Sequence, residues 1–100
     1  MSNKLNLRIL DKAEEDMDII GKHIAEDNID AAIDLLKDFY SAFQTLTEYP
    51  NIGSKRTDFT YKDVRFYVVR KNFLILYKID NDFLVILRVF TAYQDICSML

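Results

Sequence analysis

One hundred residues, half of them apolar, with two glycines and one proline, suit a single domain over 1–100 built on one hydrophobic core, and they exclude disordered and low-complexity classes. A net charge of −3 argues against generic nucleic-acid binding, and a single cysteine, Cys97, excludes an internal disulfide. With no signal peptide or long apolar span, the chain reads as cytoplasmic and free of membrane contact. Charge is polarised: residues 1–50 hold five Lys and Arg against eleven acids, whereas residues 51–100 hold eight against five.

Lys4 to Leu10 alternates polar and apolar residues, the period of a half-buried strand. Asp11 is placed to cap the following helix, with Glu14, Glu15 and Asp16 in the first turns, where acids complement the helix dipole. Ala13, Met17, Ile20 and Ile24 define its buried stripe, and Asp27-Asn28 ends it. A second helix starts at Ile29 or Asp30, with Ile29, Ala32, Ile33, Leu36, Phe39, Tyr40, Phe43 and Leu46 as its apolar set. So short a connection forces an antiparallel helical hairpin. Tyr49-Pro50 stops the second helix, because Pro disfavours helical geometry in the residue before it and has no amide to donate. Ser54 to Asp63 is polar and basic, a loop.

Three β-branched and aromatic runs follow, Val64 to Arg70, Phe73 to Ile79 and Phe83 to Phe90, broken by Lys71-Asn72 and Asp80-Asn81-Asp82. They predict an antiparallel meander. A two-residue turn at Lys71-Asn72 would set Arg70 opposite Phe73 and hence Arg65 opposite Lys78. Two cations facing one another across a ladder repel, so that face is either well solvated or covered by something anionic. Tyr93 to Leu100 is a short tail or helix, in whose last turn Cys97 reads as a small packed residue. The expected fold is α+β in two layers: an N-terminal strand, then a helical hairpin packed on a four-stranded, mainly antiparallel sheet, with strand one at an edge or in the centre.

One histidine, His23, and no Cys-x-x-Cys, Gly-rich phosphate loop or nucleophile elbow point to no metal and no cofactor. His23 and the helix acids read as ordinary surface. The cations of the sheet half are the functional candidates. Lys62, Arg65, Lys78 and Arg88 could bind an anionic target, with Tyr67, Tyr77 and Tyr93 available for stacking or proton transfer. Alternatively, Lys78 and Arg88 are strand-end residues whose heads reach water.

The succession Ala13-x-x-Asp16-x-x-x-Ile20, Ile24-Ala25-Glu26-Asp27-Asn28 with Ala31-Ala32, Leu46-x-x-x-Pro50-x-x-Gly53-x-x-Arg56, Val64-Arg65, Leu76-Tyr77 and Arg88-Val89-Phe90 resembles the RelE/ParE toxin superfamily of bacterial type II toxin–antitoxin modules. Its helical hairpin and Pro-x-x-Gly are closer to the ParE, or plasmid-stabilisation, branch. The resemblance implies a toxin neutralised by a cognate antitoxin and aimed at DNA gyrase, with a toxin–antitoxin heterotetramer or a homodimer as the assembly. The alternative it implies is a RelE-like endoribonuclease acting on ribosome-bound mRNA, in which Arg65, Arg88 and Tyr93 would be catalytic. In this chain Ala92 stands where the nucleases carry a companion histidine. Val89 to Asp95 keeps the valine and aspartate of the ParE-like ending without its histidine and arginines. A degenerate, non-toxic member that still binds antitoxin is the third reading.

Overall fold

A computed structural model of the protein describes residues 4–56 and 62–91. Within them the order is β1 (Asn6–Ile9), α1 (Asp11–Ala25), α2 (Ile29–Glu48), β2 (Arg65–Val69), β3 (Phe73–Asp80) and β4 (Phe83–Thr91). The expected loop of 54–63 lies half outside the described residues, and the expected tail from Tyr93, with Cys97, lies wholly outside them.

Chain order becomes sheet order β1-β4-β3-β2. The meander pairs antiparallel, and β1 joins it at the edge, parallel to β4. Leu7 and Ile9 of β1 pack against the same core as Leu84 and Ile86 beside them. That shared core places the short strand, which could not stand alone.

The helices start and stop for local reasons. Leu10, extended and making no side-chain cap, precedes α1, so Asp11 is its first helical residue and not the cap expected from sequence. The carboxylates of Asp11 and Glu14 still lie in the first turn, where they meet the positive end of the dipole. Asn28 supplies a true cap for α2, its Oδ1 accepting from the Ala31 amide at 3.1 Å. The helices pack on the sheet through Ala13, Met17, Leu35, Phe39, Phe43 and Leu46, which meet Val69, Ile75, Tyr77, Leu84, Ile86 and Val89. Leu35 belongs to this core, whereas Ile29, Ile33 and Tyr40, expected inside, face solvent. Ala32, Phe39, Phe43 and Leu46 of the expected stripe stay inside, so the core face is turned by only a fraction of a turn, because 3.6-residue periodicity allows a stripe of neighbouring phase to be taken for the core face.

Gly21 is buried in α1 where the helices cross, and a Cβ there would meet Leu36 at 3.6 Å, an ordinary contact. Gly21→Ala therefore removes the backbone-entropy cost of a mid-helix glycine without a clash. It is expected to raise stability by about 0.5–1 kcal/mol, read as a higher denaturation midpoint at constant m-value.

Sheet register corrects the expected one. Val69 pairs with Phe73 and Arg65 with Tyr77, one residue away from the predicted alignment. A three-residue turn, Arg70-Lys71-Asn72, replaces the two-residue one, with Arg70 (φ 51°) and Lys71 (φ 65°) both in the left-handed region. Left-handed geometry costs these residues on the order of 1 kcal/mol each, and an ion pair from Arg70 to Asp38 of α2 offsets part of it. A slip of one residue exchanges the faces of a strand. Arg65 thus joins Tyr77 on the helix side, Lys78 sits opposite Val85, and the predicted Arg65–Lys78 repulsion is absent. Between Leu76 and Tyr77 the β3–β4 register shifts, with Tyr77 opposite Ile86 and Leu76 opposite Arg88, so Leu87 is the extra residue of a β-bulge.

Candidate functional site

The sheet's outer face is not the row of cations that the sequence suggested. Most of it is a second apolar cluster of Val64, Phe66, Leu76 and Phe90, with Leu74 and Leu87 against them. Among the strand residues described, its exposed cations are Lys78 of β3 and Arg8 of β1. Both lie beside Val85 of β4, one on either flank, so their backbones stand two strand spacings, about 10 Å, apart. Sequence reasoning missed Arg8 because only the parallel pairing of β1 with β4 brings residues 8 and 78 into one row. Its signal was the polar half of the Asn6-Leu7-Arg8-Ile9 alternation.

Arg88 is held from inside. Its Nε donates to Asp16 Oδ2 at 2.7 Å and its Nη2 to Asp16 Oδ1 at 3.0 Å, a bidentate fork, while its guanidinium lies 5.0 Å from the Phe90 ring centre. The hydrogen bonds to Asp16 raise the Arg88 pKa still further, outweighing the opposite effect of burial. Asp16 Oδ2 also accepts from the Val89 amide at 3.0 Å. Because β1 pairs with β4 only as far as Ile86, Val89 lies on the open stretch of that edge, and the carboxylate from α1 takes the place of a neighbouring strand. Asp16, read from sequence as a first-turn acid, is thus the hinge pin between α1, the bulge and Arg88.

Arg65 is fixed differently. Its Nη1 donates to Gly53 O at 2.8 Å and to Asn51 O at 3.4 Å. Gly53 in turn donates its amide to Tyr77 Oη at 2.9 Å, and the Tyr77 hydroxyl donates to Pro50 O at 2.7 Å. Tyr77 is fully buried. Desolvation raises its pKa above 10, more than the Gly53 hydrogen bond and the Arg65 charge lower it. A phenol so placed neither stacks on a base nor carries protons at neutral pH, contrary to the sequence-based expectation for it. Tyr67 is half-buried against the main core.

A linkage follows from the sign of the shift. Below pH 10 the neutral phenol contributes its full stabilisation. As pH rises from the unfolded-state value near 10 through the higher folded value, the unfolded chain loses its proton first and stability falls. In a tyrosinate absorbance titration, one of the six tyrosines is expected to ionise late, together with unfolding, and that step should vanish in Tyr77→Phe.

The candidates therefore do not converge. Arg65 and Arg88 occupy opposite sides of the sheet by register, Lys78 lies with Arg8, Lys62 precedes β2, and Tyr93 is outside the described residues. Among the described residues no three His, Cys, Asp or Glu side chains gather as a metal site would require, and no helix is long and apolar enough to cross a membrane.

Residues 7–96 match the family described as the ParE toxin of the type II toxin–antitoxin system parDE. The chromosomal ParDE toxin–antitoxin system from P. aeruginosa contains a chain of similar fold, with a TM-score of 0.75 at 22% identity over 90% of this chain and 98% of that one. A chain of the toxin–antitoxin complex RelBE2 from Mycobacterium tuberculosis gives a TM-score of 0.55 at 20% identity, over 91% and 94% of the two chains. No protein of curated function matches the sequence significantly.

Proposed function

The chain belongs to the ParE toxin family of type II toxin–antitoxin systems, and from that membership we propose that it acts as a growth-arresting toxin on DNA gyrase and is silenced by a cognate antitoxin. The observation that carries the gyrase reading is a ParE-type match that runs through both helices and all four strands. The interior chemistry supports it. Arg88 and Tyr77, two groups that a phosphodiester-cleaving site would draw on, are already bound within the fold. On this reading Lys62, Arg65, Lys78 and, newly, Arg8 present positive charge to the target, while Arg88 acts from behind by fixing the β4 edge.

The test is induced expression in a bacterial host with and without the antitoxin reading frame encoded beside this gene. Growth should stop without the antitoxin, with gyrase-linked DNA breaks and intact messages. Codon-proximal cleavage of translated messages would instead establish the RelE-like nuclease with Arg65, Arg88 and Tyr93 in its cleft, and unimpeded growth the degenerate reading. Arg8→Glu/Lys78→Glu changes two exposed side chains and should leave stability within about 0.5 kcal/mol. Its charge reversal is expected to weaken gyrase inhibition by about tenfold or more. Full potency in that variant would remove the outer sheet face from the target interface.

A further inference from the structure

We infer that the outer face of the sheet near the β3–β4 turn, centred on Phe83 and flanked by Arg8 and Lys78, receives an acidic helix of the target protein. This deepens the target reading above and rests on it for the identity of the partner.

Strand alternation puts the three side chains together. Leu84 and Ile86 point into the main core, so Phe83 and Val85 point out. Val85 lies between Arg8 and Lys78 in the ladder, and Phe83 follows on the same face, between Asn6 and Asp80. Val85 is only 4% exposed, whereas Phe83 stands 42% exposed. A phenyl ring left in water beside a covered apolar floor and two cations has the make-up of an interface anchor with its polar rim. Arg70 and Arg88 are taken by Asp38 and Asp16, but Arg8 and Lys78 make no ion pair among the described residues.

Charge and spacing select the occupant. The backbones of Arg8 and Lys78 stand about 10 Å apart. In an extended peptide, residues on one side recur at about 7 and about 13 Å, and neither interval meets both cations. In a helix, residues i and i+7 lie about 10 Å apart on one side, with i+3 and i+4 between them. Carboxylates at i and i+7 therefore reach Arg8 and Lys78 while apolar side chains at i+3 and i+4 cover Phe83 and Val85. A nucleic-acid strand fits less well, because a base stacked on Phe83 would hold its phosphate close to Asp80. A second copy would set cation against cation, so self-association through this face is opposed.

Two synthetic helical peptides with Leu at i+3 and i+4, one carrying Glu and the other Lys at i and i+7, test the face against the full-length protein, beside a short oligothymidine. The Glu peptide should bind at least about tenfold tighter than the Lys peptide at low salt, with the gap narrowing as ionic strength rises, and tighter than the oligothymidine. Phe83→Thr keeps a strand-forming residue at an exposed position and should leave the Tm unaltered, yet weaken the Glu peptide by about tenfold. Phe83→Tyr keeps the ring and should bind within about twofold of wild type. Equal affinity for the two peptides, tighter binding of the oligothymidine, or undiminished affinity in Phe83→Thr would overturn the assignment of the face. In a second arm wild type and Phe83→Thr are compared for binding to purified gyrase. Gyrase that binds both equally overturns the assignment of partner, and failure of wild type to bind gyrase overturns the target reading while the peptide result still decides the face.

Discussion

Replacing Asp16 with alanine is expected to cost the domain about 3 kcal/mol and to lower its Tm on the order of 15 °C. The carboxylate is 11% exposed and the guanidinium it binds 16%, so both charges are largely withdrawn from water. Their attraction serves mainly to offset that withdrawal. Removing one partner leaves the other charge desolvated beside Phe90, and this, more than any loss of attraction, sets the size of the effect. The Val89 amide also loses its acceptor, on a stretch of β4 that has no neighbouring strand. Asp16→Asn can still accept from Val89 but cannot balance Arg88, and should fall between wild type and Asp16→Ala. Adding Arg88→Met to Asp16→Ala removes the stranded charge and should recover part of the loss, the signature of a coupled pair. Chemical denaturation of the four proteins decides it. A loss below about 1 kcal/mol in Asp16→Ala, with no recovery in the double variant, would show that Arg88 reaches water by itself and is free to meet a target.

The same cluster marks where sequence stops being informative. Period-2 and 3.6-residue patterns are local, and they located β1, both helices and the meander to within a residue or two at most ends. The family resemblance stated from scattered residues is also met by the match over 7–96. What failed was non-local. Whether Arg70 belongs to strand or turn changes register by one, and that single step moved Arg65 to the helix side and dissolved the expected repulsion with Lys78. The Asp38 ion pair that favours the longer turn comes from α2, thirty-two residues earlier. Arg88 looked like an available cation because its partner lies seventy-two residues upstream. The polarised charge, acidic hairpin and basic sheet, is therefore partly an internal complementarity between two layers. A reader of composition sees the excess of each sign but not the pairs that consume it. For α2 the difficulty was phase: enough apolar residues surround it that two faces compete, and the one left over is the stripe of Ile29, Ile33 and Tyr40.

Gly53→Ala is the second large effect, and its cause is volume and not backbone freedom, since Gly53 does not adopt a positive φ. A Cβ at this position would stand 2.4 Å from Tyr77 Oη, 2.7 Å from Cε1 and 2.9 Å from Cζ. The tyrosine cannot yield. Its ring is fully buried on the central strand β3, among side chains of both helices and β4. The segment of residues 50–54 must move instead, and that motion strains four contacts together: the Tyr77 bonds to Pro50 and Gly53, the Arg65 bond to Gly53 O, and the two-bond bridge of Ser54 to Phe66 on the β2 edge. Overpacking with these losses is expected to cost about 3 kcal/mol. Tyr77→Phe alone, which leaves the Gly53 amide and the Pro50 carbonyl without their partner, should cost about 1–3 kcal/mol. In the double variant the nearest clashing atom is gone and the hydrogen bonds cannot be lost twice, so the combined cost should fall short of the sum by about 1 kcal/mol. Strict additivity would mean that the segment is not held through Tyr77. Arg65 would then owe its position to β2 alone, and its availability to a target would no longer depend on the Pro50–Gly53 anchor.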